Sequence, residues 1–190
     1  MRKLYEKSEI WFAVAWIIAY CVLLSLGDNI SASIGMINVV TFPIALLLSV
    51  VLFLFLKKND LLEAYGLCKS KVPASKVLFY SPVLVMLTAN LWYGIGIYVS
   101  PIEAVCYVLT MLCVGFLEEV IFRGLLFNAM RKDGVKSAIL VSSLTFGIGH
   151  IVNLFNGSGA ELLPNLLQVI YATAAGFMFV MIYYRTKSLL

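Results

Sequence analysis

The sequence predicts an all-α polytopic membrane protein, a bundle of about six transmembrane helices. Hydrophobic residues make up 62% of the chain and charged residues only 13%, about half the charged fraction of a soluble domain. Apolar stretches of about 20 residues, the length that a membrane-crossing helix requires, recur along the chain. Thirteen of the fourteen basic residues lie outside these stretches or at their ends. We therefore predict one integral-membrane domain over residues 1–190.

The apolar stretches define the helices in order. The predicted spans are 10–26, 36–56, 77–99, 102–130, 137–156 and 162–184. The first follows Arg2 and Lys3, as in a signal peptide, but no convincing small-residue cleavage site follows it, and we predict a retained helix. The polar connector 57–76 alternates charge with apolar residues, which favours a short amphipathic helix at the membrane surface.

Charge predicts the orientation of the bundle. Thirteen of the fourteen basic residues lie in the N-terminus, the second and fourth connectors and the tail, and the fourteenth is Arg123. The opposite connectors carry Asp28, Glu103 and Glu161. By the positive-inside rule both ends of the chain are cytoplasmic. The net charge of +4 thus reflects topology, and no nucleic-acid partner is expected.

The cysteines indicate no cofactor or cross-link. They form no CxxC pair, and three of the four lie in apolar runs: Cys21, Cys68, Cys106 and Cys113. We expect them to pack as small hydrophobic side chains.

Three charged residues interrupt the continuous apolar run from Val105 to Met130. Burying an ionised side chain in hydrocarbon costs about 2.5 to 3.5 kcal/mol on insertion scales, so Glu118, Glu119 and Arg123 indicate a functional site. Glu119 and Arg123 have the i, i+4 spacing of an ion pair on one helix face. Glu118 projects about 100° away from Glu119. Glu118 is therefore predicted to be the freer carboxylate.

The only histidine, His150, lies at a similar depth. Glu118 lies about 18 Å from the cytoplasmic end of its helix and His150 about 20 Å from the start of the next, at about 1.5 Å per residue. Consecutive helices joined by a short loop usually pack as neighbours. The carboxylate and the imidazole are predicted to meet inside the membrane.

The pattern Glu118-Glu119-x-x-x-Arg123 followed by Phe146-x-x-x-His150 resembles the first two motifs of the CAAX-prenyl protease and bacteriocin-processing family. These intramembrane proteases include the type II CAAX endopeptidases. The resemblance covers about residues 102 to 187, and it implies hydrolysis of a peptide bond in a membrane-associated or lipid-modified peptide. It implies that Glu118 is the general base, that Glu119 and Arg123 are a supporting pair, and that His150 binds the water or a metal.

The same resemblance implies a protease-like core over 77–190 and a bacterial cytoplasmic membrane as the location. One departure from the family pattern concerns the third motif, HxxxN, because its histidine is absent from this chain. We expect the core to be C-terminally incomplete, ending one helix early. A catalytic zinc usually has three protein ligands, and here Glu118 and His150 are the metal candidates, with Glu119 and Asn153 beside them. A divalent metal such as zinc stays an open expectation.

Two other classes of function stay open. The charged residues could form the relay of an ion-coupled transporter, although no other predicted span carries a charge. The alternative to the leading endopeptidase interpretation within the same family is a non-catalytic immunity or scaffold member, since a fold does not fix an activity. For each residue there is also a plain structural interpretation: an ion pair that locks helix packing for the Glu-Glu-Arg cluster, and a hydrogen-bonded core residue for His150.

The missing second histidine also bears on the expected activity. Without it, the negatively charged oxygen of the tetrahedral intermediate lacks a hydrogen-bond donor. Loss of one such donor costs about 100- to 1000-fold in rate.

Overall fold

The computed structural model describes residues 1–77, 99–156 and 159–190, together with Val85, Thr88 and Trp92. Every regular element in these residues is a helix, which confirms the all-α prediction. We number the helices α1 Arg2–Lys7, α2 Glu9–Ile34, α3 Thr41–Lys58, α4 Ala74–Val77, α5 Pro101–Met130, α6 Val135–Leu154 and α7 Leu162–Thr186. Within the described residues, α2, α3, α5, α6 and α7 are long and apolar enough to cross a membrane. The predicted span 77–99 lies almost wholly outside the described residues.

Helix ends follow from local capping chemistry. The Ser8 hydroxyl accepts a hydrogen bond from the Trp11 amide at the start of α2. At the start of α5, Ser100 and Glu103 form a reciprocal capping box, and Pro101 occupies the first turn, where its missing N–H costs nothing. Glu103 also accepts a hydrogen bond of 3.0 Å from the Ile37 amide, which ties the α2–α3 connector to α5.

Helix α2 runs well beyond its predicted end at residue 26, and this corrects the placement of Asp28 in a connector. Asp28 accepts a hydrogen bond of 2.7 Å from the Thr41 hydroxyl at the start of α3, and Ser31 Oγ lies 3.3 Å from the same hydroxyl. Because α3 satisfies these polar groups, the helix continues through them. It ends at Gly35, whose φ of 76° is the left-handed conformation that glycine adopts readily.

The buried core lies between α2, α3 and the second half of α5. One stripe of α2, Phe12, Trp16 and Leu24, is buried in it. In α5, every residue from Val120 to Ala129 is buried. On the other side, α6 and α7 pack at close range, because a Cβ placed on Gly147 would lie 2.8 Å from the Val169 carbonyl oxygen.

The basic segments gather at one end of the bundle, as their charge predicts. Lys132 Nζ lies 2.7 Å from a Glu9 carboxylate oxygen, and the Lys71 amide donates to the Thr186 carbonyl at 3.1 Å. Asn156 lies at the opposite end, where its amide donates to Asp28 at 3.2 Å. The two ends of the bundle therefore differ in charge, while the side that faces the cytoplasm stays a prediction.

The predicted amphipathic helix in the connector 57–76 is wrong for most of its length. Residues 59 to 73 are non-helical, with turns, bends and irregular backbone, and the backbone is left-handed at Asp60 and Gly66. The Tyr65 hydroxyl is drawn inward and donates to the Tyr5 hydroxyl at 2.9 Å. Burial, followed by that hydrogen bond, raises the pKa of Tyr65 far above its usual value, so this phenol stays protonated and the connector is held against α1.

Candidate active site

The middle of α5 is a π-helix over Glu119–Phe127. Its carbonyls take hydrogen bonds from side chains, because Ser142 Oγ donates to the Phe122 carbonyl at 2.9 Å and the Asn128 amide donates to the Gly124 carbonyl at 2.7 Å. Side chains that satisfy irregular backbone in this way make such a segment tolerable among apolar helices. π-Helical turns are frequent at functional sites, and this one begins directly after Glu118.

Glu118 accepts a hydrogen bond from a helix distant in sequence. The Tyr20 hydroxyl on α2 donates to Glu118 Oε1 at 2.8 Å. Among the residues that the structure describes, no side chain or backbone group donates to the second oxygen, Oε2. One carboxylate oxygen is thus held, and the other is available to a bound molecule.

Glu119 and Arg123 form the predicted ion pair, with 3.5 Å between Glu119 Oε1 and Arg123 Nη1. The Arg123 side chain is 1% exposed and the Glu119 side chain 30%. The Arg123 guanidinium carbon lies 4.1 Å from the centre of the Phe146 ring, a cation–π contact. Within the described part of the chain, Arg123 Nη1 and Nη2 have no hydrogen-bond partner. The cation is therefore held more by the aromatic face than by the carboxylate.

His150 begins the last, 3₁₀ part of α6. Its Nδ1 lies 3.1 Å from the Phe146 carbonyl oxygen. A carbonyl only accepts hydrogen bonds, so Nδ1 carries the proton in neutral imidazole and Nε2 presents its lone pair. The His150 carbonyl accepts a hydrogen bond of 2.9 Å from the Asn165 amide of α7. Both the ring and the backbone of His150 are therefore fixed.

Phe146 joins the two sequence motifs. Its ring packs edge-on against His150 and against Phe122, with centroids 5.2 Å apart in each case, and its face holds Arg123. The arginine of the first motif and the histidine of the second thus contact the same aromatic ring. The spacing Phe146-x-x-x-His150 puts both residues on one face of α6 because four residues is about one helical turn.

Glu118 and His150 line one cavity of about 970 Å³, which we call the Glu118–His150 cavity. Its wall also includes Tyr20, Asp28 and Thr110, whereas Glu119 and Arg123 are not part of it. Of the four predicted site residues, the structure thus places Glu118 and His150 on the cavity wall. Glu119 and Arg123 lie outside this wall. The cavity extends from Glu118 toward the end of the bundle where Asp28 lies.

The residues of the cavity do not fit a catalytic zinc. Zinc sites of this kind take three protein ligands and keep one position open. Among the described residues, no group of three or more His, Cys, Asp or Glu side chains could hold a metal ion. The Asn153 carbonyl oxygen accepts a hydrogen bond from Asn156 at 3.2 Å, and its amide donates to Gln168 at 3.1 Å. Asp28, on the same wall, accepts hydrogen bonds from Thr41 and Asn156. Glu118 and His150 remain as two donors, and we derive no step through a metal.

Sequence reasoning missed two residues of the cavity wall, Tyr20 and Asp28. A signal for Tyr20 was present, because Phe12, Trp16 and Tyr20 have the i, i+4 spacing of one helix face. A buried tyrosine usually finds a hydrogen-bond partner for its hydroxyl. No such signal was present for Asp28, because an acidic residue close to the end of an apolar run can belong to a connector as well as to a helix.

Helices that are long and apolar enough to cross a membrane thus bring one residue of each motif, Glu118 and His150, to one cavity. Residues 100–190 match the model of a family described as type II CAAX prenyl endopeptidase Rce1-like, and this match is consistent with the family predicted from the motifs. The matched region is just under half of the chain. No curated protein and no solved structure matches the chain.

Proposed function

We propose that the protein is an intramembrane endopeptidase that hydrolyses a peptide bond in a membrane-associated or prenylated peptide. The observation that carries this proposal is that a carboxyl group and an imidazole ring, those of Glu118 and His150, line one cavity among apolar helices. A cavity of about 970 Å³ lies at the upper end of the usual size range of ligand sites, roughly 300 to 1,000 Å³. It has room for a water molecule together with several residues of an extended peptide.

The reaction follows from the two side chains. His150 Nε2 accepts a hydrogen bond from the attacking water and orients it, because Nδ1 is engaged with the Phe146 carbonyl. Glu118 Oε2 takes one proton from that water as the oxygen bonds to the scissile carbonyl carbon. The carboxyl group of Glu118 then gives this proton to the leaving nitrogen as the C–N bond breaks. The products are a carboxylic acid and an amine, and Glu118 returns to the carboxylate.

Glu119 and Arg123 have a supporting role in this proposal. Arg123 lies against the face of the Phe146 ring, and the Phe146 carbonyl fixes the His150 ring. Glu119 balances the charge of Arg123 at 3.5 Å. The pair therefore orients His150 through Phe146 without contacting the substrate.

The transporter alternative gains one observation, because Asp28 of α2 lies on the wall of the same cavity as Glu118. A relay needs a path to both sides of the membrane, however, and the α5 residues from Val120 to Ala129 are all buried. The wall of the Glu118–His150 cavity reaches Phe122 and includes no later residue of α5. Hydrolysis is therefore the better-supported function.

We further propose a bacterial cytoplasmic membrane as its location, with both chain ends cytoplasmic.

The test compares Glu118→Gln with the wild type in detergent micelles. The probe is a fluorogenic peptide that ends in a farnesylated cysteine, two aliphatic residues and methionine, assayed beside its unprenylated counterpart. Glu161→Gln is the matched control, since Glu161 is exposed at the start of α7. We expect Glu118→Gln to abolish cleavage and Glu161→Gln to retain it. Equal cleavage by Glu118→Gln and the wild type would refute the proposal, and Glu118-dependent proton uptake into vesicles without cleavage would favour a transporter.

A further inference from the structure

We infer that Tyr20 is a positioning residue for the general base, an inference that rests on the proposed endopeptidase function. The Tyr20 hydroxyl holds Glu118 Oε1, so that Oε2 faces the water. Tyr20 lies on α2, outside the residues 100–190 that match the family. The N-terminal half of the chain thereby takes part in the site.

The geometry supports a built contact. The Tyr20 hydroxyl lies 2.8 Å from Glu118 Oε1 across a separation of 98 residues, and both side chains line the Glu118–His150 cavity. Phe12, Trp16 and Leu24, on the same stripe of α2, are buried in the core and fix the rotation of that helix. The phenol therefore reaches Glu118 from a helix that cannot turn freely.

The charged neighbours of Glu118 on its own helix do not perform this task. Glu119 pairs with Arg123, and Arg123 lies over the Phe146 ring. Among the described residues, Tyr20 is the side chain that donates a hydrogen bond to Glu118. A glutamate has several rotatable bonds, and a base is effective only when it is held within hydrogen-bond reach of the proton that it removes.

The proton inventory is consistent with this role. Tyr20 keeps its own proton throughout and donates a hydrogen bond to Oε1 while Oε2 gains and then loses the proton of the water. When Oε2 is protonated, Oε1 is the carbonyl oxygen of a carboxylic acid and still accepts. The contact can therefore persist through the cycle and keep the carboxyl group in one orientation.

The first experiment is Tyr20→Phe, which keeps the ring and removes the donor. With the farnesylated peptide as probe, we expect kcat to fall by about 10- to 100-fold, the range for one hydrogen bond to a charged group, with KM unchanged. Tyr171→Phe is the matched control, because Tyr171 is an exposed tyrosine of α7 outside the cavity wall. Its kcat should equal that of the wild type.

The second experiment separates positioning from a structural role. Glu118→Asp keeps the carboxylate but shortens the side chain by one methylene, which breaks the 2.8 Å contact. If Tyr20 acts through Glu118, adding Tyr20→Phe to Glu118→Asp lowers kcat no further. Equal fold losses in both backgrounds would overturn the inference.

Failure of this inference and failure of the proposed function give different results. If Glu118→Gln cleaves normally, the endopeptidase proposal fails. If Glu118→Gln is inactive and Tyr20→Phe has wild-type kcat, the role of Tyr20 fails alone. A Tyr20→Phe protein that does not accumulate in folded form would show that the hydroxyl is structural, and it too would overturn the inference.

Discussion

The buried Arg123 offers a sharp test of how charge is tolerated in this bundle, through the pair of substitutions Arg123→Met and Arg123→Ala. Methionine retains most of the side-chain volume and removes the charge. The loss comprises a desolvated cation–π contact with Phe146, about 2 kcal/mol, and a pairing with the partly exposed Glu119, up to about 1 kcal/mol.

Arg123→Met also removes a destabilising contribution of similar size. Two buried guanidinium nitrogens have no hydrogen-bond partner among the described residues, and each such group costs about 1 to 3 kcal/mol. Replacing a buried ion by an apolar residue of similar volume is often neutral or stabilising. We therefore expect the free energy of unfolding of Arg123→Met to lie within about 1 kcal/mol of the wild-type value. Arg123→Ala also opens a cavity and should lose about 2 to 5 kcal/mol.

The assay is thermal unfolding in detergent micelles, followed by tryptophan fluorescence. A loss of 1 kcal/mol corresponds to about 2 to 4 °C in a chain of this size, so the two variants should be well separated. Glu119→Gln, which removes the charge of the carboxylate that pairs with Arg123, is measured in the same thermal unfolding assay. If Arg123→Met is as unstable as Arg123→Ala, the charge itself stabilises the fold and the reasoning is refuted. Cleavage should fall in both variants, because Phe146 loses the contact that orients it.

Three further predictions concern single contacts. His150→Ala should lower kcat by about 100-fold or more, since a positioned acid–base group contributes that much, and a small loss in the peptide cleavage assay would argue against its role. Asn128→Ala should lower the free energy of unfolding by about 1 to 3 kcal/mol, because it leaves the buried Gly124 carbonyl without its side-chain donor; an unchanged thermal midpoint would contradict this. Gly147→Val should cost about 1 to 3 kcal/mol, since a Cβ there would lie 2.8 Å from the Val169 carbonyl oxygen, and a neutral result by thermal unfolding would mean that α7 shifts freely.

Hydropathy predicted the existence of the described helices better than their ends. The apolar content of residues 10–26 marks a span, but the helix continues to Ile34, because Thr41 of the next helix satisfies Asp28. That contact depends on how two helices pack, and no property of residues 27 to 34 alone specifies it. Helix periodicity did predict the ion pair of Glu119 and Arg123, since both residues lie one turn apart on the same helix.

The π-helix and the Tyr20 contact could not be predicted from periodicity. The irregular backbone of α5 depends on donors from elsewhere, such as Ser142 of α6, and the spacing of its own residues does not distinguish a π-helix from an α-helix. Tyr20 and Glu118 are 98 residues apart, and an amphipathic pattern indicates which face is inward without indicating what it meets. Contacts within one helix could therefore be predicted from the sequence, and contacts between helices distant in the sequence could not.

The Tyr20 contact bears on how this protein should be dissected. A fragment cut at residue 100 would carry both signature motifs yet lack one wall of the Glu118–His150 cavity, since α2 supplies that wall. Such a fragment would expose the acid to lipid or solvent where a phenol now shields it. Under the proposed function, studies that swap or trim the amino-terminal helices would perturb the site itself as well as the anchoring in the membrane.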